Sequence, residues 1–162
     1  ARSGPNSQPS RSGYSLRKDP MPITLQKQAN RHDPENGIWG DCHRTAYAML
    51  LGLPRDEVPH VFDKDASPEE GNAAMAAFLR SRGLAEVALP FTGNSPQDII
   101  NVSKLRFPPG FPLILGGTSR LGFEHSVVLC DGETYDPSQV DSGIVGPCKD
   151  GFYWLSFVVP LP

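Results

Sequence analysis

A chain of 162 residues, 38% of them hydrophobic and 20% charged, has the size of one ordinary domain and enough apolar material for a core without metal or disulfide staples. A formal charge of -3 argues against nucleic acid as a partner, because phosphate binding needs clustered Lys and Arg, and no apolar run of about 18 residues offers a membrane span. Three cysteines, at 42, 130 and 148, are odd in number and lack CxxC spacing, which argues against a zinc ribbon or a full disulfide framework and for a reducing, cytoplasmic setting.

The charge is uneven along the chain. Residues 1 to 20 carry Arg2, Arg11, Arg17 and Lys18 against Asp19, a net +3 that leaves -6 on the remainder of a chain whose total is -3. This stretch is rich in Ser, Gly and Pro and has almost nothing apolar to bury, so it is expected to be a disordered basic arm or a remnant of cloning. A single folded domain is expected over 21 to 162. It opens on a short extended run, Ile23 to Gln28, compatible with a strand or a strand-like entry, followed by a loop punctuated by Asp33-Pro34 and Asn36-Gly37.

Asp41 is placed as the N-cap of a helix running from Cys42 to Leu51, with Gly52 at its C-terminal stop and Pro54 beyond. Apolar positions Cys42, Ala46, Met49, Leu50 and Leu53 fall three and four apart, so one buried face is expected. A short helical turn is predicted at Arg55 to Val58. Ser67-Pro68-Glu69-Glu70 then starts a helix that ends at Gly83, Leu84 to Leu89 is a strand, and Ser95-Pro96-Gln97-Asp98 starts a third helix to about Lys104. The segments 111 to 117, 125 to 130, 133 to 136 and 152 to 159 are aliphatic, aromatic or β-branched and bounded by Gly or Pro, as strands are. Helices followed by strands give an α+β domain, with an N-terminal helix packed on a C-terminal antiparallel sheet.

The chemistry centres on Cys42. A thiol attacks as the thiolate, and the free N–H groups and dipole of a helix N-terminus favour an anion. A buried packing cysteine is the plainer reading of such a residue taken alone. The second feature is the run from His125 to Asp136, in which Asp131-Gly132 lies between two strand-like stretches and predicts a two-residue hairpin. In that register Asp136 faces Val127, and His125, two residues along on the same face, becomes its diagonal neighbour. A carboxylate holding one imidazole nitrogen leaves the other free to take a proton from a thiol.

Gly40-Asp41-Cys42-His43-Arg44-Thr45-Ala46, the run LLGLPRDEVPH at 50 to 60 and HSVVLCDGETYDP at 125 to 137 resemble the papain-like cysteine hydrolase superfamily. The closer likeness is to small papain-like proteins of tailed bacteriophages, with the peptidase C39 and NlpC/P60 groups further off. The resemblance covers about residues 22 to 160. It implies a nucleophile helix packed on a small antiparallel sheet, a Cys42–His125–Asp136 triad, and an upstream oxyanion donor, commonly a Gln. Gln26 is the first candidate and Gln28 the alternative, with the Cys42 N–H as second donor. It further implies action on a peptide, a protein or a small amide, in the host cytoplasm if the chain is phage-encoded, with no cofactor.

Trp39, Gly40, Asp41 and His43 flank the thiol and are the candidates to shape a substrate groove, although simple packing explains Trp39 equally well. His43 points about 100° away from Cys42 on the helix and makes a poor base. His60 reads as a loop or packing residue, His32 as a loop residue that reaches the cleft in the less favoured case, and Cys130 and Cys148 as structural thiols. Groove walls are expected from 90 to 96, 107 to 112 and 117 to 124. Hydrolysis of an amide, peptide or isopeptide bond is the leading expectation. Acyl transfer to an amine, as in transglutaminase-like enzymes, and a catalytically silent fold that binds a host protein are its rivals.

Overall fold

A computed structural model describes residues 22–162, so the basic arm expected over 1 to 20 lies outside the described residues. Helices α1 (Cys42–Leu51), α2 (Pro68–Ser81) and α3 (Pro96–Arg106) precede most of the sheet, with strand β1 (Leu84–Phe91) set between α2 and α3. Strands β2 (Leu113–Thr118), β3 (Glu124–Cys130), β4 (Glu133–Tyr135) and β5 (Tyr153–Pro160) complete one antiparallel sheet of order β1-β5-β2-β3-β4. The architecture is α+β, as the order of elements implied.

Helix α1 ends where a residue without Cβ is needed: Gly52 sits at φ 66°, and its N–H returns to the carbonyls of Ala48 and Met49. The helix buries more than the expected stripe, because Thr45, Tyr47 and Ala48 are enclosed along with Ala46 and Met49. The reason is its surroundings. Ile114 and Val128 of the sheet, Met75 and Leu79 of α2, and Ile23 from the entering chain all pack in the same cluster. Helices α2 and α3 both start on capping boxes, Ser67 with Glu70 and Ser95 with Asp98, each worth about 1 kcal/mol.

Alternation along the strands divides the core in two. Leu84, Ile114 and Val128 face α1 and α2, whereas Leu113, Leu115, Val127, Leu129, Tyr153 and Leu155 face Ile99 of α3. Strand β1 runs two residues past the expected Leu89 and includes Pro90 opposite Trp154. Its place at the sheet edge explains this, since a proline there removes no second ladder. The run 23 to 28, compatible with a strand or a strand-like entry, joins no sheet. Its hydrogen bonds go elsewhere, from Gln26 N–H to Met49 Sδ (3.2 Å) and from Gln28 N–H to the Pro137 carbonyl (2.8 Å). No helix among the described residues is long and apolar enough to cross a membrane.

Candidate active site

The β3–β4 hairpin turns on Asp131 at φ 52° and Gly132 at φ 85°, the paired left-handed conformation whose twist matches that of the flanking strands. The register follows: Cys130 pairs with Glu133, Leu129 with Thr134 and Val128 with Tyr135. Strand β4 stops there, and His125 lies on the stretch of β3 that β4 leaves uncovered. The chain carries on to Asp136, whose Oδ1 lies 2.7 Å from His125 Nε2. The same oxygen accepts the Ser138 N–H at 2.8 Å, and Oδ2 accepts the Gly143 N–H at 2.8 Å. Lys27 Nζ closes the loop from outside by donating to the carbonyls of Asp136 and Ser138 and to Asp141.

An ionised carboxylate only accepts, so His125 must carry its proton on Nε2 toward Asp136 and present Nδ1 to whatever faces it. Cys42, the first residue of α1, is half-buried and lines the same cleft as His125, close enough to act on the charge of the ring. Burial pushes the imidazole down, but the Asp136 hydrogen bond and then the Cys42 side chain outweigh it and raise its pKa to about 9. Burial likewise opposes ionisation of Asp136, yet His125 and the two backbone N–H donors bring its pKa down to about 2. Near neutral pH the pair is therefore an imidazolium on a carboxylate, with its positive charge turned toward the thiol.

Two sequence expectations change at this point. Asp41 occupies the N-cap position of α1 without capping it by its side chain. It is fully buried, its Oδ1 accepts the Asn30 N–H at 2.8 Å, and its Oδ2 meets Arg44 Nε at 3.1 Å, so it anchors the entering chain and cannot touch a substrate. Gln26, the favoured oxyanion donor, has its amide committed to the Leu53 carbonyl (2.7 Å) and the Arg55 N–H (2.9 Å) at the far end of α1. The chain from Gln26 to Asn30 runs antiparallel to α1, from Met49 back to Asp41. Gln28 is thus the glutamine nearer the nucleophile. It is buried, its Oε1 has no hydrogen-bond partner, and its backbone is tied to Pro137 and Gln139 just past Asp136.

The chain in front of the thiol is held by two histidines that were read as bystanders. Gly40 N–H donates to His32 Nδ1 (3.2 Å), and His60 Nε2 donates to the Gly40 carbonyl (3.1 Å). A Cβ on Gly40 would lie 3.0–3.1 Å from the Cβ and backbone N of His32, so any larger residue would require His32 to give by a few tenths of an ångström. The His32 ring packs edge-on against Trp39 and Phe123 and lines the cleft. His43 also lines it, wedged between Tyr47 and Phe62, where burial and then His60 lower its pKa to about 4 and keep it neutral.

Cys42 and His125 open onto a cleft of about 670 Å³ between α1, α2 and the sheet. Trp39, Gly40 and His43 line it, as expected from their places beside the thiol. Of the segments expected as walls, 117 to 124 contributes Phe123 and Glu124. The segment 90 to 96 contributes nothing, and 107 to 112 borders a separate hollow with Ser103 and Lys104. The floor is the sheet itself: Ser126, Gly116 and Trp154 form one cross-strand row, and Ile114, Ser156 and Ala88 the next. Strand alternation, carried across the right strand order, would have found these residues. Cys148 lines the cleft as well, and burial, then Glu124 and Asp150, push its thiol up to about 11. No protein-family model matches this chain, and no match is found among curated proteins or solved structures.

Proposed function

We propose that this protein is a papain-like thiol hydrolase of amide or peptide bonds, isopeptide bonds included, with Cys42 as nucleophile, His125 as its proton partner and Asp136 as the group that orients the imidazole. The observation that carries the reading is the Asp136–His125 couple, fixed at 2.7 Å by a carboxylate with three N–H donors and set beside a cysteine at a helix start. A histidine serving only the core has no use for a raised pKa next to a thiol, whereas a thiolate–imidazolium pair needs one.

In this reading the sulfur attacks the substrate carbonyl carbon as the thiolate, its proton resting on His125 Nδ1. The C–N bond breaks as Nδ1 gives that proton to the leaving amine, and a thioester remains. Water then adds to the thioester while Nδ1 takes its proton, the C–S bond breaks, and the carboxylic acid leaves. The oxyanion donors in this reading are the Cys42 backbone N–H, which has no intrahelical acceptor at the first turn of α1, and, as the resemblance implies, the side-chain N–H group of Gln28.

Exposure to p-nitrophenyl acetate tests the acyl-transfer step without knowledge of the natural substrate. The proposal expects a burst of one p-nitrophenolate per chain, an acetyl group on Cys42 by mass spectrometry, and steady turnover absent from Cys42→Ala. Acetylation confined to other residues overturns it. An added amine that speeds turnover and appears as the acetamide would redirect the reading from hydrolysis to acyl transfer.

A further inference from the structure

The cleft runs on from the thiol to a second polar point that the chemistry at Cys42 does not use. Tyr47 lies five residues beyond Cys42 on α1, roughly 7.5 Å along the helix axis. Its side chain is 1% exposed, it lines the cleft, and no group donates a hydrogen bond to its hydroxyl oxygen. Buried polar atoms are almost always paired, so an oxygen that faces a cleft without a donor is a place where a ligand can complete the hydrogen bond.

Glu86 stands next to it. This β1 residue is exposed and lines the same cleft, and after burial its carboxylate is the main influence that holds the Tyr47 phenol protonated. The Glu86 carboxylate is the group the Tyr47 O–H engages, at the long end of hydrogen-bond reach, and among the described residues no Lys, Arg or His forms an ion pair with Glu86. The other lining carboxylates are occupied: Glu124 accepts the Lys149 N–H, and Asp150 accepts the Phe152 N–H and the Trp154 indole. His43, on the same helix face as Tyr47, is neutral near pH 7. Between the thiol and Glu86 the floor is the row Ile114, Ser156 and Ala88, whose two apolar members offer a surface for an alkyl stem.

Resting on the hydrolase reading above, we propose that the cleft selects a substrate whose side chain ends in an ammonium or guanidinium group, which donates to the Glu86 carboxylate and the Tyr47 hydroxyl oxygen while its stem lies on Ile114 and Ala88. The pairing supplies both missing partners at once, a cation for the free carboxylate and a donor for the buried oxygen.

Four peptidyl acyloxymethyl ketones, with Lys, Arg, norleucine or Glu beside the warhead, test this on the full chain through the second-order rate of Cys42 labelling. Lys and Arg probes should label at least about 10-fold faster than norleucine, the scale of one charge-assisted hydrogen bond, and Glu should be slowest. Glu86→Gln and Tyr47→Phe should each shrink the Lys-to-norleucine ratio. Glu133→Gln, the same charge change on β4 away from the cleft, should preserve it. Equal rates for Lys and norleucine, or a ratio that survives Glu86→Gln, overturn the cationic subsite alone. Absence of labelling by all four probes overturns the hydrolase reading and this proposal with it.

Discussion

Asp41 shows how much a single side chain next to the nucleophile holds in place. Its two oxygens join the entering chain at Asn30 to Arg44 on α1, and Arg55 Nε approaches to 3.8 Å from the turn after the helix. Arg44 keeps some solvent access, so most of the desolvation cost falls on the aspartate, which the three partners offset. Asp41→Ala leaves the Asn30 N–H and the Arg44 guanidinium without their acceptor. It should lower stability by roughly 3 kcal/mol in urea titration. It should also slow Cys42 alkylation, since the first turn of α1 loses its tie to the preceding chain. A loss under about 0.5 kcal/mol, as for ordinary surface positions, would contradict this account of the residue.

At the scale of elements, the hairpin joins backbone conformation to the site. Gly132 lies at φ 85°, and a Cβ there would also come 2.6 Å from Lys104 Cδ, the flexible part of a side chain that can swing aside. The lasting penalty of Gly132→Ala is therefore left-handed strain of about 1 kcal/mol, seen as a lower Tm. Because the turn sets the register that delivers Asp136 to His125, alkylation of Cys42 should slow as well. An unchanged Tm with an unchanged rate would mean that the turn does not set this register.

The same elements show what the chain reveals before it folds. The limits of α1, the two capping boxes and the Asp131-Gly132 register depend on residues within a few positions of one another, and all were readable. The role of Gln26 was not, because its amide is drawn away by Leu53 and Arg55, more than 25 positions on, and no local pattern records that. The cleft floor escaped for a similar reason. Ser126, Gly116 and Trp154 become one row only once β5 is known to sit between β1 and β2. Nothing local singles out Tyr47, because what sets it apart is a buried hydroxyl at the cleft, which depends on the packing of α1 against distant strands.

For the whole molecule, the ion pair at the site predicts how stability depends on pH. His125 has its pKa raised from 6.5 to about 9, so its contribution is complete below pH 6.5 and is lost as pH rises through about 9. Asp136 has its pKa lowered from 3.8 to about 2, so its contribution is complete above about pH 4 and is lost as pH falls through about 2. Both are intact between about pH 4 and 6.5, where Tm should be highest. Asp136→Asn removes the carboxylate that raises His125, and its Tm profile should be flatter on both sides. A wild-type Tm that climbs steadily from pH 6.5 to 9 would contradict the pairing.

The central claim is that Cys42 is a nucleophile activated by His125, and site-resolved alkylation tests it most directly. Brief exposure to substoichiometric iodoacetamide at pH 7, followed by peptide mass spectrometry, compares Cys42 with Cys130 and Cys148 in one sample. Both of the other thiols have pKa values raised first by burial and then by neighbouring carboxylates, and serve as internal references. Carbamidomethyl should accumulate on Cys42 at least about 10-fold faster than on either, and most of that advantage should vanish in His125→Ala. A Cys42 no faster than Cys130 and Cys148, or one indifferent to the loss of His125, would contradict the claim.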